Sequence, residues 1–239
     1  IGIRASTGDV VVILNADVRL PRDFLNKILP FYEQGFDYVL VKAKVSNTEF
    51  LFARYVEAKN ILDHYQGDSS WLEWTEGFSC RREVAIKAGL FPTGYPVLIC
   101  AGEDGFFGEE LRKMGAKKKR AFEIEIGHVA PSTFSNYWQI RKGRGKGSPL
   151  FRHFVEHWSL GKVTSWAILR IIKTSAYIVT VLPMAAVAWK SALCSKRGLK
   201  DLFPFIYAWL LEQIAFHVGE WESIMEIFHV RKSLDVNSR

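Results

Sequence analysis

Three places in this sequence carry residue types that could bind a metal ion or move a proton. Asp17 comes shortly after residues 9–15, an apolar stretch rich in β-branched residues, and His128 follows a segment in which apolar and charged residues alternate. Glu103 and Asp104 open an amphipathic segment, so they are expected at a helix N-terminus, where the backbone dipole favours ionised carboxylates. Ligands in open α/β sheets bind beyond the carboxyl ends of strands. We therefore expect Asp17 to face a cleft that binds a metal ion or a phosphate.

A basic segment at 137–149 is the fourth candidate for chemistry. It has three glycines interleaved with four cations, among them Arg141 and Arg144. Such a composition is typical of a mobile loop that wraps phosphate oxygens, and equally of a linker between domains. The net charge of +7 and the pI near 9.3 favour an anionic partner such as nucleotide phosphates or anionic lipid. No recognition helix or stacking platform favours nucleic acid.

Alternating strands and helices are predicted to position these residues. Residues 9–15 are predicted as a strand buried on both faces, and 39–45 as a half-buried strand. An alternative for Asp17 is a helix cap, for which Asp23 is better placed. The other predicted elements are helix 21–34 with a kink or early end at Pro30, helix 48–66, strand 71–80, helix 82–87, a helix opened by Glu103 and a strand leading to His128.

The C-terminal third is apolar enough to suggest a membrane. Sixteen uncharged residues, 174–189, lie between Lys173 and Lys190, and a second apolar run covers 202–211. A spanning helix needs about 20 apolar residues, so a spanning hairpin, interfacial helices and a soluble helical core are all compatible. Because cations flank the first run on both sides, the positive-inside rule favours re-entrant or interfacial helices.

Over about residues 1–147 the chain resembles the family-2 glycosyltransferases of the GT-A fold. The resemblance implies a Rossmann-like mixed sheet lacking its first strands, followed by hydrophobic transmembrane or interfacial helices. It divides the chain into a partial catalytic domain at 1–147, a membrane-associated region at 148–230 and a polar tail at 231–239. Four motifs carry the resemblance. Asn15-Ala16-Asp17 is similar to the D-x-D element, and Gly77 with Arg81-Arg82-Glu83 and Ala88-Gly89-Leu90-Phe91 is similar to the acceptor-side segment. Gly102-Glu103-Asp104-Gly105 with Leu111-Arg112 is similar to the E-D motif, and Gln139 to Arg144 is similar to a basic element of membrane-bound members.

The resemblance also implies a role for each candidate residue. The departing diphosphate needs a divalent cation, Mg²⁺ or Mn²⁺, and basic side chains that neutralise its charge. The acceptor hydroxyl needs a general base. The implied roles are Asp104 as general base with Glu103 orienting the acceptor, Asp17 and His128 as metal ligands, Asn15, Asp17, Arg141 and Arg144 at the donor diphosphate, and Glu76 and Gly77 on the acceptor side.

The implied reaction is transfer of a sugar from a UDP- or GDP-sugar to a lipid-linked or glycan acceptor. One displacement with one base inverts the anomeric carbon, and the catalytic part is expected at the cytoplasmic face of a membrane. Asn15 replaces the first Asp of the D-x-D element, and the chain is expected to lack the preceding strands that hold base and ribose. The alternative is therefore a non-catalytic membrane-bound scaffold that retains the fold.

Overall fold

The chain folds into two compact units. The computed structural model describes residues 2–65, 76–99 and 101–237, the last seven in their backbone only. The first unit contains Ile1–Glu49, Lys59–Pro92 and Asp104–Ala130, and the second contains Phe50–Ala58, Thr93–Glu103 and Pro131–Arg239. The predicted strand 71–80 lies outside the described residues up to residue 75. The division at 147 and 230 remains a prediction.

The first unit is built on a five-stranded mixed sheet with the strand order β1-β4-β3-β5-β2. Only β3 and β5 are parallel, and the other neighbours are antiparallel. This architecture confirms the predicted α/β class. The strands are β1 (Val10–Ile13), β2 (Val18–Arg19), β3 (Tyr38–Val45), β4 (Phe78–Arg81) and β5 (Lys118–His128), and the helices are α1 (Gly2–Ala5), α2 (Phe24–Glu33, which continues through Pro30), α4 (Arg82–Lys87) and α5 (Glu103–Lys113).

The central strand of this sheet is β3, and both of its faces are covered. Tyr38 and Leu40 pack in one cluster with residues of α4 and α5, and Val39 and Val41 pack in another with residues of α2. The predicted burial was therefore wrong for two strands. The 39–45 strand, predicted to be half-buried, is central, whereas the 9–15 strand is shorter and only Val11 of β1 is buried. The reason is that β1 is an edge strand of the described sheet, where it pairs with β4.

The second unit consists of helices, and one of them corrects an expectation. The basic segment at 137–149 is not a loop, because it lies entirely within a helix that packs on the longest helix of the unit. The helices are α3 (Leu51–Asn60), which both units share, α6 (Phe134–Leu150), α7 (Leu160–Thr180), α8 (Leu182–Leu193) and α9 (Leu202–Asn237).

The glycines of α6 explain why this segment is helical. A Cβ on Gly145 would lie 2.0 Å from the Phe216 carbonyl oxygen of α9, and a Cβ on Gly219 of α9 would lie 2.0 Å from the Lys142 carbonyl oxygen of α6. The two backbones therefore approach more closely than any side chain permits. Ser223 strengthens the contact by donating a hydrogen bond to the Lys146 carbonyl at 2.8 Å. Close packing of two helices outweighs the low helix propensity of glycine.

We expect Gly145→Ala to lower the free energy of unfolding by about 1–3 kcal/mol, because the added methyl group meets backbone atoms that cannot rotate away. The matched control is Gly143→Ala on the same helix, where nothing lies within 4 Å of the new Cβ. This control should raise stability by about 0.5–1 kcal/mol through helix propensity. Urea unfolding of both variants measures the difference, and equal stabilities would contradict the close approach.

Membrane-compatible helices are present among the residues that the structure describes. Gly198–Val230 is long and apolar enough to cross a membrane by length and composition, and 28% of its apolar window is buried. Leu160–Thr180 and Leu182–Leu193 pass the same test only as a pair, and they are bent by 83° at their junction. Length and composition alone are weak evidence for a membrane.

Candidate active site

Pairing between β2 and β5 brings Asp17 and His128 together. In this pairing Val18 lies opposite His128, and the Val129 amide donates to the Asp17 carbonyl at 2.9 Å. Just before β2, the Val18 amide donates to the Asn15 carbonyl at 3.2 Å, so Asn15 begins the turn that carries Asp17. As a result Asp17 Oδ2 lies 3.4 Å from His128 Nε2.

Glu76 and Gly77 lie next to this pair. Glu76 Oε1 is 3.8 Å from His128 Nε2. Gly77 has a φ of +71°, and a Cβ there would lie 2.4 Å from Ile126 Cδ1, which disfavours any side chain at this position. Gly77 thus lets the chain cross close over β5 two residues before His128. Two predicted acceptor-side residues and two predicted metal ligands therefore share one location in the first unit.

Asp17 and His128 offer two donors that could contribute to holding a divalent cation. The Asp17 side chain is 48% exposed while that of His128 is almost fully buried, so one donor is fixed in the protein and the other faces solvent. The distance of 3.4 Å between them is long for a strong hydrogen bond. Among the described residues no group of three His, Cys, Asp or Glu side chains is arranged to hold a metal ion. Two protein donors nevertheless fit Mg²⁺ or Mn²⁺, since such ions take their remaining ligands from phosphates and water.

The predicted acid–base residues lie at the start of α5. Glu103 is the first residue of this helix and Asp104 the second, which confirms that the motif opens a helix. Asp104 is half-buried, and its Oδ1 accepts a hydrogen bond from the Gly105 amide at 2.8 Å. Free amide groups at a helix N-terminus stabilise a negative charge. The role of Asp104 as the general base stays a prediction.

The two predicted diphosphate ligands of α6 have different environments. Arg141 is 5% exposed, with Nη1 3.1 Å from Glu212 Oε1 of α9 and its guanidinium over the Tyr137 ring. Burial alone would lower the pKa of Arg141, but the Glu212 carboxylate raises it, so the charge persists. Arg144 is exposed. The predicted role of both at the donor stays a prediction, and Arg141 has in addition a structural partner.

Because of these environments, we expect substitution of Arg141 to affect stability and substitution of Arg144 to affect donor binding. Arg141→Gln should lower the free energy of unfolding by about 2 kcal/mol because it leaves Glu212 without its buried cation, and Glu212→Gln in the same chain should recover part of that loss. Arg144→Ala should leave stability unchanged and raise the KM for a nucleotide sugar about tenfold, the contribution of one charge-assisted hydrogen bond to phosphate. Urea unfolding and donor titration measure the two effects, and a stable Arg141→Gln variant would contradict the structural role.

Sequence reasoning missed the partners of Arg141. Glu212 also accepts a hydrogen bond from the Tyr55 hydroxyl at 2.9 Å, so α3, α6 and α9 meet at one carboxylate. The sequence did contain a signal for a packed helix, because Tyr137, Arg141 and Gly145 recur every fourth residue. All three are buried in the structure. Helical periodicity was masked by the glycines, which are typical of loops.

The chain has a GT-A-like fold. The alignment with the solved structure of the mannosyltransferase PcManGT from Pyrobaculum calidifontis, in complex with GDP-Man and Mn2+, covers 94% of this chain and 65% of that chain, with a TM-score of 0.54 and 17% sequence identity. At this identity the likeness shows the fold alone, and the chain spans about two thirds of that protein's length. A second solved structure, S. aureus TarS 1–349, has a TM-score of 0.39 and 12% identity over 94% of this chain and 68% of its own.

The likeness to the family lies in the sequence of the first unit. Residues 1–91 match the sequence model of glycosyl transferase family 2. This match supports the resemblance to family-2 glycosyltransferases that the motifs predicted. The match includes Asn15, Asp17, Glu76 and Gly77 and ends before Glu103. No curated protein matches the chain significantly.

Proposed function

We propose that this protein transfers a sugar from a UDP- or GDP-sugar to a lipid-linked or polysaccharide acceptor, with inversion at the anomeric carbon. The observation that carries the proposal is the position of Asp17. It lies within the segment that matches the family, at the end of the short turn after β1, and it is held beside His128 by the β2–β5 pairing. A related fold has been solved with GDP-Man and Mn2+, which supports a nucleotide sugar as the donor class.

In the proposed reaction Asp104 is the general base. It accepts the proton of the acceptor hydroxyl while that oxygen forms a bond to the anomeric carbon, and the bond from this carbon to the diphosphate oxygen breaks. Glu103 orients the acceptor, and the nucleoside diphosphate leaves with the bonding electron pair. A single displacement of this kind inverts the anomeric configuration.

Asn15, Asp17, Arg141 and Arg144 are assigned to the donor diphosphate. Asp17 and His128 would hold a divalent cation, which when bound supplies Lewis-acid stabilisation of the diphosphate charge. Asn15 offers an amide oxygen and amide hydrogens where the usual element has a carboxylate, so it can still form a hydrogen bond to the donor. Glu76 and Gly77, beside His128, are assigned to the acceptor side.

The proposed location is a membrane, with the catalytic part facing the cytoplasm. The support is the apolar character of the second unit, whose helix Gly198–Val230 could cross a bilayer, together with the cations that flank its apolar runs. Anionic lipids of the cytoplasmic leaflet attract such cations.

The test is release of nucleoside diphosphate from UDP- and GDP-sugars by the full natural chain in membranes, with Mn²⁺, with Mg²⁺ and with EDTA. Metal-dependent release that requires an acceptor is the expected result. The second candidate is a non-catalytic scaffold, which Asn15 and the small number of protein donors at the cation site favour. A folded chain that binds no nucleotide sugar with any metal would replace the transferase by this scaffold.

A further inference from the structure

The junction of α7 and α8 forms an apolar, charge-free projection in the second unit. No charged residue occurs in the sixteen residues 174–189, and the pair bends by 83° within this stretch. At the bend Val179 is 81% exposed and Leu182 is 78% exposed. Exposed aliphatic side chains of this size at a single turn are costly in water. We call residues 174–189 the apolar bend.

The bend is a built feature of the fold. Val181 has a φ of +59°, a conformation that is strained for a β-branched residue and persists only where the surroundings impose it. The surroundings are known on the inner side, where Met184 and Ala188 are buried and Tyr177 stacks on Trp209 of α9 at 6.5 Å. Packing against α9 therefore fixes one face of the pair, and the other face is left apolar and exposed.

Both threonine hydroxyls of the bend have hydrogen-bond partners within the protein. The Thr180 hydroxyl donates to the Ala176 carbonyl at 2.7 Å, and Thr174 Oγ1 lies 3.0 Å from His217 Nε2. Pro183, in the first turn of α8, has no amide hydrogen to leave unpaired at the break. A surface that enters hydrocarbon must satisfy its polar groups internally, and the two threonine hydroxyls meet that requirement.

Cations and aromatic rings mark both ends of the bend. Lys173 places Nζ 5.6 Å from the centre of the Tyr177 ring on the incoming helix, and Trp189 is followed by Lys190 on the outgoing one. Aromatic rings with adjacent lysines are typical of the boundary between hydrocarbon and headgroups. Beyond the bend Lys196, Arg197 and Lys200 add positive charge. The charge pattern is complementary to an anionic lipid surface.

The length of the bend decides how far it can reach. Sixteen helical residues extend about 24 Å when straight, which is less than the roughly 30 Å of a hydrocarbon core, and the 83° bend shortens the reach further. Both flanks also carry lysine. We propose that the apolar bend inserts into a single leaflet of an anionic bilayer and returns to the side from which it entered, so that Lys173 and Lys190 face the same aqueous compartment.

This inference deepens the membrane association proposed above, but it does not depend on sugar transfer, because the test needs no turnover. Flotation of the purified full chain with vesicles of equal parts phosphatidylcholine and phosphatidylglycerol measures binding. Val179→Asp with Leu182→Asp should lower the bound fraction at least about tenfold, because a charge in hydrocarbon is unfavourable. The matched control, Leu25→Asp with Leu29→Asp, changes two exposed leucines of the first unit and should float like the parent chain.

A second experiment tests whether Lys173 and Lys190 lie on the same side of the membrane. In a background with Cys80, Cys100 and Cys194 replaced by alanine, Lys173→Cys and Lys190→Cys should both react with a membrane-impermeant maleimide added outside intact vesicles. A fluorophore at Leu182→Cys should be quenched by lipids that carry a quencher in the acyl chain of the outer leaflet. Reaction of only one of the two cysteines would overturn the proposal in favour of a spanning helix. A chain that stays off vesicles and forms dimers that Leu182→Asp dissociates would overturn it in favour of an interface between two copies.

Discussion

Asp104→Asn is expected to lower kcat for sugar transfer by about 10²–10⁴-fold, the range that a general base contributes. Asparagine has nearly the same shape, and its Oδ1 can keep the hydrogen bond from the Gly105 amide, so α5 should begin at the same residue. What the variant loses is the ability to accept the acceptor's proton. Donor affinity should stay within about twofold, because the change affects the chemical step rather than ground-state binding.

The control for Asp104 is Glu109→Gln on the same helix. Glu109 is exposed and pairs only weakly with Arg112 and Lys113, at 3.8 and 3.5 Å, so its removal should leave kcat unchanged. Initial rates of nucleotide release at saturating donor and acceptor measure both variants. If Asp104→Asn retains parental kcat while Glu103→Gln loses it, the base is Glu103 and the assignment of Asp104 is wrong.

The motif that opens α5 could be placed from the sequence because its signals are local. Phe107 and Leu111 recur at helical spacing, and both are fully buried in the core of the first unit. The start of the helix follows from Gly102, whose φ of +96° ends the preceding segment. The helical spacing and the adjacent glycine were sufficient to predict that these two carboxylates lie at the N-terminus of a helix.

The meeting of Asp17 with His128 could not be derived in the same way. It depends on β2, a strand of two residues that has no detectable periodicity, and on its pairing with a strand more than a hundred residues later. The resemblance named both residues as metal ligands, but only the pairing gives a reason for their proximity. Long-range register is set by the assembled sheet and not by local composition.

For the basic segment at 137–149, the local composition predicted a loop, and that prediction was wrong because the segment lies within α6. Three glycines among cations are typical of a loop, yet the same glycines permit backbone contact between α6 and α9. The cations gained partners at the same time, because Lys142 and Lys146 both pair with Glu222, at 2.6 and 2.9 Å. Whether a glycine is a breaker or a packing position depends on the second helix, which lies some seventy residues further along the chain.

Asp17→Ala should lower metal-dependent turnover about a thousandfold, which corresponds to about 4 kcal/mol of transition-state stabilisation. The reason is that Asp17 is the exposed carboxylate of the pair, which we propose binds at the donor diphosphate, and His128 alone is a poor site for a hard cation. Stability should change little because the Asp17 side chain is half exposed. Nucleotide release titrated with Mn²⁺ should therefore require far more metal in the variant, and EDTA should abolish release by the parent chain.

Two further variants make the result specific to Asp17. Asp23→Ala removes an exposed carboxylate that pairs with Lys27 at 2.8 Å, and it should leave turnover and metal dependence unchanged. His128→Gln should lower turnover about 10–100-fold and shift the Mn²⁺ titration in the same direction as Asp17→Ala. If Asp17 and His128 act on one ion, as proposed, the double variant should lose little more than Asp17→Ala alone. Additive losses, or an Asp17→Ala chain that keeps its parental response to Mn²⁺, would show that the pair formed by β2 and β5 is not where the cation binds.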